Sequence, residues 1–169
     1  VSFVDITELK QREHELAEQD ARWKAVFAAT GDMVFDLTFP SGDAWRAALR
    51  SPDGDGLLTL ALPGAYFSPS WLGMVGLDTM PADSYRDRGA RVHPEDVAHV
   101  AHELGRHLRG ETALYFAEYR LLRADGSVLP VLDRGQVYLR DEDGLPQRMH
   151  GVMIDLSPQK QAEETARRF

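Results

Sequence analysis

Between positions 99 and 107 stand His99, His102, Glu103 and His107, residue types that ligate metal ions, and helical spacing sets His99 and Glu103 one turn apart on one face. Zinc or haem iron would be the chemistry. The apolar stripe of the same segment, Val97, Val100, Leu104 and Leu108, lies opposite that face, which is therefore read as solvated, and no metal is assigned. His93, just ahead of Pro94, is read as ordering the start of this helix rather than as a catalytic base. The chain contains no Gly-Xaa-Ser-Xaa-Gly, phosphate loop or dinucleotide fingerprint. The absence of Cys removes disulfides, thiolate metal sites, Cys nucleophiles and thioether-attached cofactors. Catalysis is therefore not expected.

At 169 residues the chain suits one domain with linkers, and 43% hydrophobic residues suffice for a core. Nineteen Lys and Arg against 27 Asp and Glu give a net charge of −8, which argues against nucleic acid as a partner. No apolar run approaches the roughly 20 residues of a membrane-spanning helix, so any anchor of a parent protein is expected outside this segment, with a cytoplasmic location.

The elements that must position these residues centre on 114–160. Phe116–Leu122, Val128–Tyr138 and Arg148–Ile154 read as a three-stranded meander, turning at Ala124-Asp125-Gly126-Ser127 and Asp141-Glu142-Asp143-Gly144. The last strand hands over to a helix at Asp155-Leu156-Ser157-Pro158, where Ser157 is the expected N-cap. This exit is echoed at Val4-Asp5-Ile6-Thr7-Glu8-Leu9-Lys10, so residues 1–5 are expected to end a strand of an upstream module, in a chain cut from a longer modular protein. Residues 7–29 read as helix. In it Leu9, Leu16 and Trp23 recur at heptad spacing, either as a weak parallel dimer seam or as one face of a surface helix that lays Trp23, Val26 and Phe27 on a sheet.

Met33–Phe39 is the expected first strand of the domain, followed by a short helix capped by Asp43 and an extra strand over Leu57–Leu62. Ala65–Ser68 reads as strand, and a helix carrying Trp71, Met74 and Val75 ends at Gly76. Residues 78–91 read as irregular, and Val92-His93-Pro94-Glu95-Asp96 opens a helix whose first-turn acids face its positive end. Such an order suggests one antiparallel sheet with helices grouped on one side.

The ordered set Gly31-Asp32-Met33-Val34-Phe35-Asp36, Tyr66-Phe67-Ser68-Pro69-Ser70-Trp71, Val92-His93-Pro94-Glu95-Asp96, Glu118-Tyr119-Arg120-Leu121, Asp125-Gly126-Ser127, Leu132-Asp133-Arg134-Gly135 and Asp155-Leu156-Ser157 resembles the PAS superfamily, in its His-Pro-(Asp/Glu)-Asp branch. The resemblance implies an α+β fold with a five-stranded antiparallel sheet, short helices on one face and linker helices at both ends. It divides the chain into an upstream end and linker helix (1–22), a PAS domain (23–157) and the start of an output helix (158–169). Pro130 departs from the branch pattern and is expected to cost a ladder hydrogen bond or to lie at an edge. Residues 41–63 are an insertion, read equally as a lid, a dimer contact or a piece that closes on its own domain.

Strand parity taken with the resemblance turns Ala117, Tyr119, Leu121, Val131, Asp133, Met149, Gly151 and Met153 inward, with Trp71 and Met74 nearby. Two readings follow: a ligand cavity with Tyr119 and Asp133 as polar handles, or a filled core in which both find protein partners. A flavin photoadduct would need the missing Cys, and haem lacks a buried ligand. The implied function is a sensory or relay domain of a bacterial histidine kinase or cyclic-di-GMP enzyme, homodimeric through its helices, with neighbouring PAS or effector domains in the same chain. Its signal leaves through Asp155 and Ser157. The alternatives are a ligand-independent dimerisation module and, from another class, a small-molecule enzyme on a cone-like α+β fold.

Overall fold

The computed structural model describes residues 3–29, 31–54 and 56–168. Helix α1 (Phe3–Ala28) leads into strand β1 (Met33–Thr38), which is followed by α2 (Asp43–Leu49), β2 (Tyr66–Phe67) and α3 (Ser70–Val75). Helices α4 (Ser84–Arg91) and α5 (Val97–Leu108) precede the meander β3 (Tyr115–Leu122), β4 (Val128–Arg140) and β5 (Pro146–Asp155), and α6 (Ser157–Arg168) ends the chain. All strand pairs are antiparallel, in the order β2-β1-β5-β4-β3. This is the α+β, five-stranded arrangement expected from the sequence.

The meander forms because its strands alternate and its turns are chemically specified. Along β3, Tyr115, Ala117, Tyr119 and Leu121 are buried while Phe116 and Glu118 are exposed. The β3–β4 turn closes with Gly126 at φ 85°, and the Asp125 carboxylate accepts from the Ser127 amide at 2.9 Å. Pro130 is tolerated because β5 has run out beside it. The N and O of one strand residue point the same way, and the Pro130 carbonyl accepts from the amide of Leu156, beyond the last β4–β5 pair of Val131 with Asp155.

Several elements differ from expectation. Residues 3–5 continue α1 instead of ending a strand, since a strand without a ladder partner leaves its backbone groups unmet; Val1 and Ser2 lie outside the described residues. Leu57–Leu62 is no strand: turns of the Leu57 amide to Gly54 O and the Thr59 amide to Gly56 O carry the backbone, and Leu57 and Leu58 are buried without pairing to the sheet. Residues 84–91 are helical, capped by Asp83, whose carboxylate accepts from the Arg86 amide at 3.0 Å. Helix α5 starts only at Val97. Asp96 does not serve the helix dipole, because its carboxylate takes the Arg120 guanidinium and the Arg120 amide at 2.9–3.0 Å.

The insertion closes on its own domain. Trp45 stacks on Phe39 with ring centroids 5.1 Å apart and donates to Pro146 O at 3.1 Å, while Arg109 donates to Ser51 O at 3.2 Å and Leu62 N to Asp83 at 2.7 Å. Leu57 rides over Gly105 of α5, and a Cβ at Gly89 of α4 would stand inside the Leu58 carbonyl. Trp45, Leu49, Leu57, Leu58 and Leu62 thereby join the one hydrophobic core.

The ends of the chain contrast with this core. No side chain of α6 is buried, and Leu9 and Leu16 of α1 are 61% and 65% exposed. The Trp23 side chain, the third residue of the heptad series, lies outside the described residues, as does that of Phe27. No described helix is long and apolar enough to cross a membrane.

Candidate functional site

The inward parity of β3, β4 and β5 carries Tyr115, Tyr119, Asp133, Met149 and Met153 to one interior, and α4 closes it from above with Tyr85 and Arg88. Asp133 is 3% exposed and Arg88 5%, so a carboxylate and a guanidinium are held out of water together. One carboxylate oxygen, Oδ2, accepts from Tyr119 OH at 2.8 Å and more weakly from Tyr115 OH at 3.4 Å. Oδ1 of Asp133 and Nη1 of Arg88 have no hydrogen-bond partner among the described residues. The guanidinium lies over the Tyr85 ring, 4.8 Å from its centroid, and the Tyr85 hydroxyl donates to Leu57 O of the insertion.

Burial raises the Asp133 carboxyl above the usual carboxylate range, opposed by the Arg88 charge and the two tyrosine hydroxyls. The hydroxyls of Tyr119 and Tyr115 are pushed well up, first by burial and then by Asp133. Burial alone would lower Arg88, but Tyr119, Tyr85 and Asp133 around it outweigh that and raise it. The guanidinium therefore stays charged.

Most of the interior is filled by side chains. Gly135 and Gly151 face each other across β4 and β5; the Arg134 carbonyl and the Phe35 ring occupy the place a Cβ at Gly151 would need, and the Met149 methyl that of one at Gly135. Phe67 meets Trp71 edge-on at 5.3 Å. What remains is a cavity of about 10 Å³ lined by both charged groups and by Phe35, Leu104, Met149 and Met153. Of the other residues assigned to the cavity from sequence, Trp71, Met74, Leu121 and Val131 are buried in the core but do not line this space, and Tyr119 reaches it only through Asp133. The sequence reading missed Tyr85, Arg88 and Tyr115. Asp83-Ser84 as a cap, with Tyr85 and Arg88 three apart behind it, was the available signal.

The histidine group does not assemble. His99 is exposed, whereas His107 is 2% exposed: Nδ1 donates to Thr112 O at 3.0 Å and Nε2 accepts from the Val137 amide at 2.9 Å. Val137 lies beyond the last β3–β4 pair, so the imidazole takes the place of a ladder partner. Burial lowers its pKa, as suits a neutral ring with both nitrogens engaged. His93 accepts from the Glu95 amide through Nδ1 at 3.2 Å and shapes the entry to α5.

At the exit, the amide of Ser157 is taken by Asp155 Oδ1 at 2.7 Å, so Asp155 supplies the capping oxygen expected of Ser157. The Arg123 guanidinium joins this point to the rest of the domain, donating to Met74 O of α3 at 3.2 Å, Val128 O at 3.0 Å and, at the long limit of 3.4 Å, Ser157 Oγ.

The family described as the PAS fold matches residues 65–153, more than half of the sequence. The chain belongs to the PAS family. No curated protein matches it. Among solved structures, a sensory box histidine kinase/response regulator from Burkholderia thailandensis is similar at 23% identity and a TM-score of 0.59, with 86% of this chain and 92% of that one covered. The N-terminal domain of a diguanylate cyclase with a PAS/PAC sensor from Marinobacter aquaeolei gives 22% identity and a TM-score of 0.55 over 76% and 98%. A PAS domain from Colwellia psychrerythraea gives 12% and 0.55 over 85% and 98%. At these identities the likeness is one of PAS fold.

Proposed function

We propose that this PAS domain, residues 23–157, is a cytoplasmic sensory relay without catalysis of its own, flanked by linker helices and passing its signal through Asp155 and Ser157 into α6. The observation that carries this reading is the exit itself. Asp155 caps α6, the Leu156 amide bonds to Pro130 of β4, and Arg123 reaches from the end of α3 to Ser157. A displacement of β4, β5 or α3 therefore has a bonded route to the output helix. The effector at its far end is a histidine kinase or a diguanylate cyclase or phosphodiesterase; similar PAS folds stand in a histidine kinase and in a diguanylate cyclase.

Dimerisation through the linker helices belongs to the same proposal. Ile6, Leu9, Leu16 and Val26 of α1 are exposed, and the outer sheet face carries a groove of about 650 Å³ with Leu114 and Phe116 at its rim, also exposed. In the full-length parent, Asp155→Ala is expected to abolish the signal response while leaving the unfolding midpoint within a few degrees; a normal response would overturn the relay. A second reading, ligand sensing by the interior, is favoured by the two unpartnered polar atoms of Arg88 and Asp133.

A further inference from the structure

We infer that the space between Arg88 and Asp133 is a subsite for the hydroxyl group of a small neutral molecule, a monohydric alcohol in the simplest case; the inference rests on the ligand-sensing reading. Three observations lead there. The unpartnered atoms are of opposite kinds, since Arg88 Nη1 can only donate and an ionised Asp133 Oδ1 can only accept. A group that meets both must accept and donate at once. The cavity, about 10 Å³, has room for about one non-hydrogen atom such as a water oxygen. A hydroxyl oxygen does both while staying uncharged, whereas an aliphatic amine nitrogen is protonated at neutral pH and can then only donate.

Charge narrows the class further. Arg88 and Asp133 compensate each other, so a carboxylate or an ammonium ion would bring an unmatched charge into a buried site. Tyr85 and Tyr115 also line the space with their hydroxyls engaged by Leu57 O and Asp133, and the remaining lining, Phe35, Leu37, Phe67, Leu104, Met149 and Met153, suits a carbon skeleton. Room for that skeleton comes from the two methionines, whose unbranched side chains repack at low cost.

The test is a titration of the 169-residue chain, carrying ¹³C-methyl methionine, with propan-2-ol, propanone, propionate and propylammonium. Propan-2-ol and propanone share one shape and differ in the donor. Saturable shifts of the Met149 and Met153 methyl signals are expected with propan-2-ol, about tenfold weaker binding or less with propanone, and none with the two ions. The paired variant Arg88→Met with Asp133→Leu, which removes both charges together and so avoids a lone buried ion, is expected to lose the preference for the alcohol. Equal binding of propanone, or an unchanged preference in that variant, would overturn the hydroxyl subsite while leaving a ligand-sensing interior. No shift with any of the four would overturn the subsite and the ligand reading together. The relay through Asp155 stands or falls separately, on its own variant.

Discussion

Two Arg–Asp pairs sit on either side of β3, and they are opposites. Arg120 and Asp96 meet at the rim, where the guanidinium holds both carboxylate oxygens at 2.9–3.0 Å and Glu95 adds a further bond at 3.0 Å. Arg88 and Asp133 lie under the sheet, make no direct hydrogen bond, and each keeps one polar atom unmatched among the described residues. The rim pair fixes where α5 begins. In the interior, the charges lie where burial is most costly and satisfaction least complete.

The sharpest way to break this contrast is a double-mutant cycle. Asp133→Leu alone leaves Arg88 buried without its counter-charge, and a loss of about 3–5 kcal/mol in urea unfolding is expected. Adding Arg88→Met is expected to restore most of it. The same cycle on Asp96 and Arg120 is expected to show far weaker coupling, because solvent screens that pair. A smaller effect separates the two oxygens of Asp133: Tyr119→Phe removes the 2.8 Å bond to Oδ2 and is expected to cost about 1–2 kcal/mol.

The smallest effect is in the pH dependence, where the pairs have opposite signs. The hydrogen bond from Arg120 holds the Asp96 carboxyl below its usual range, so its contribution is present above the ordinary carboxylate value and is lost as pH falls through the folded-state value. Asp133 is shifted up by burial, so its contribution is present at acid pH and is lost as pH rises through its raised value. Thermal midpoints against pH are therefore expected to flatten on the acid limb in Asp96→Asn and on the rising limb in Asp133→Asn. A common response of both variants would remove the distinction.

How far the sequence reveals this architecture depends on the element. The meander was legible because alternation and Asp-Gly turns encode it locally, and the resemblance to PAS domains then said which parity, that of Tyr119 and Asp133, faces inward. Arg88 was not, because α4 is a helix of Asp, Arg and Gly whose stability comes from its Asp83 cap and from burying Tyr85, a tertiary effect. Leu57–Leu62 misled for a related reason. A run of apolar residues looks alike whether a sheet or two helices bury it. The histidines show a limit of spacing: it set His99 on an exposed face, but nothing in it showed that His107 is drawn inward by the Val137 amide that β3 leaves unpaired.

The insertion has a consequence for how such a domain changes over generations. A segment read from the sequence as an insertion looks removable, yet Gly89 of α4 has the Leu58 backbone where a side chain would begin, and Gly54 of the segment has the Ala101 backbone of α5 in the same place. Deleting it would leave Tyr85 without its carbonyl and a hole where Leu57 and Leu58 stood. Segment and seat are thus inherited as a unit: a lineage that drops the segment is released to place a larger residue at 89, and one that has done so can no longer take it back.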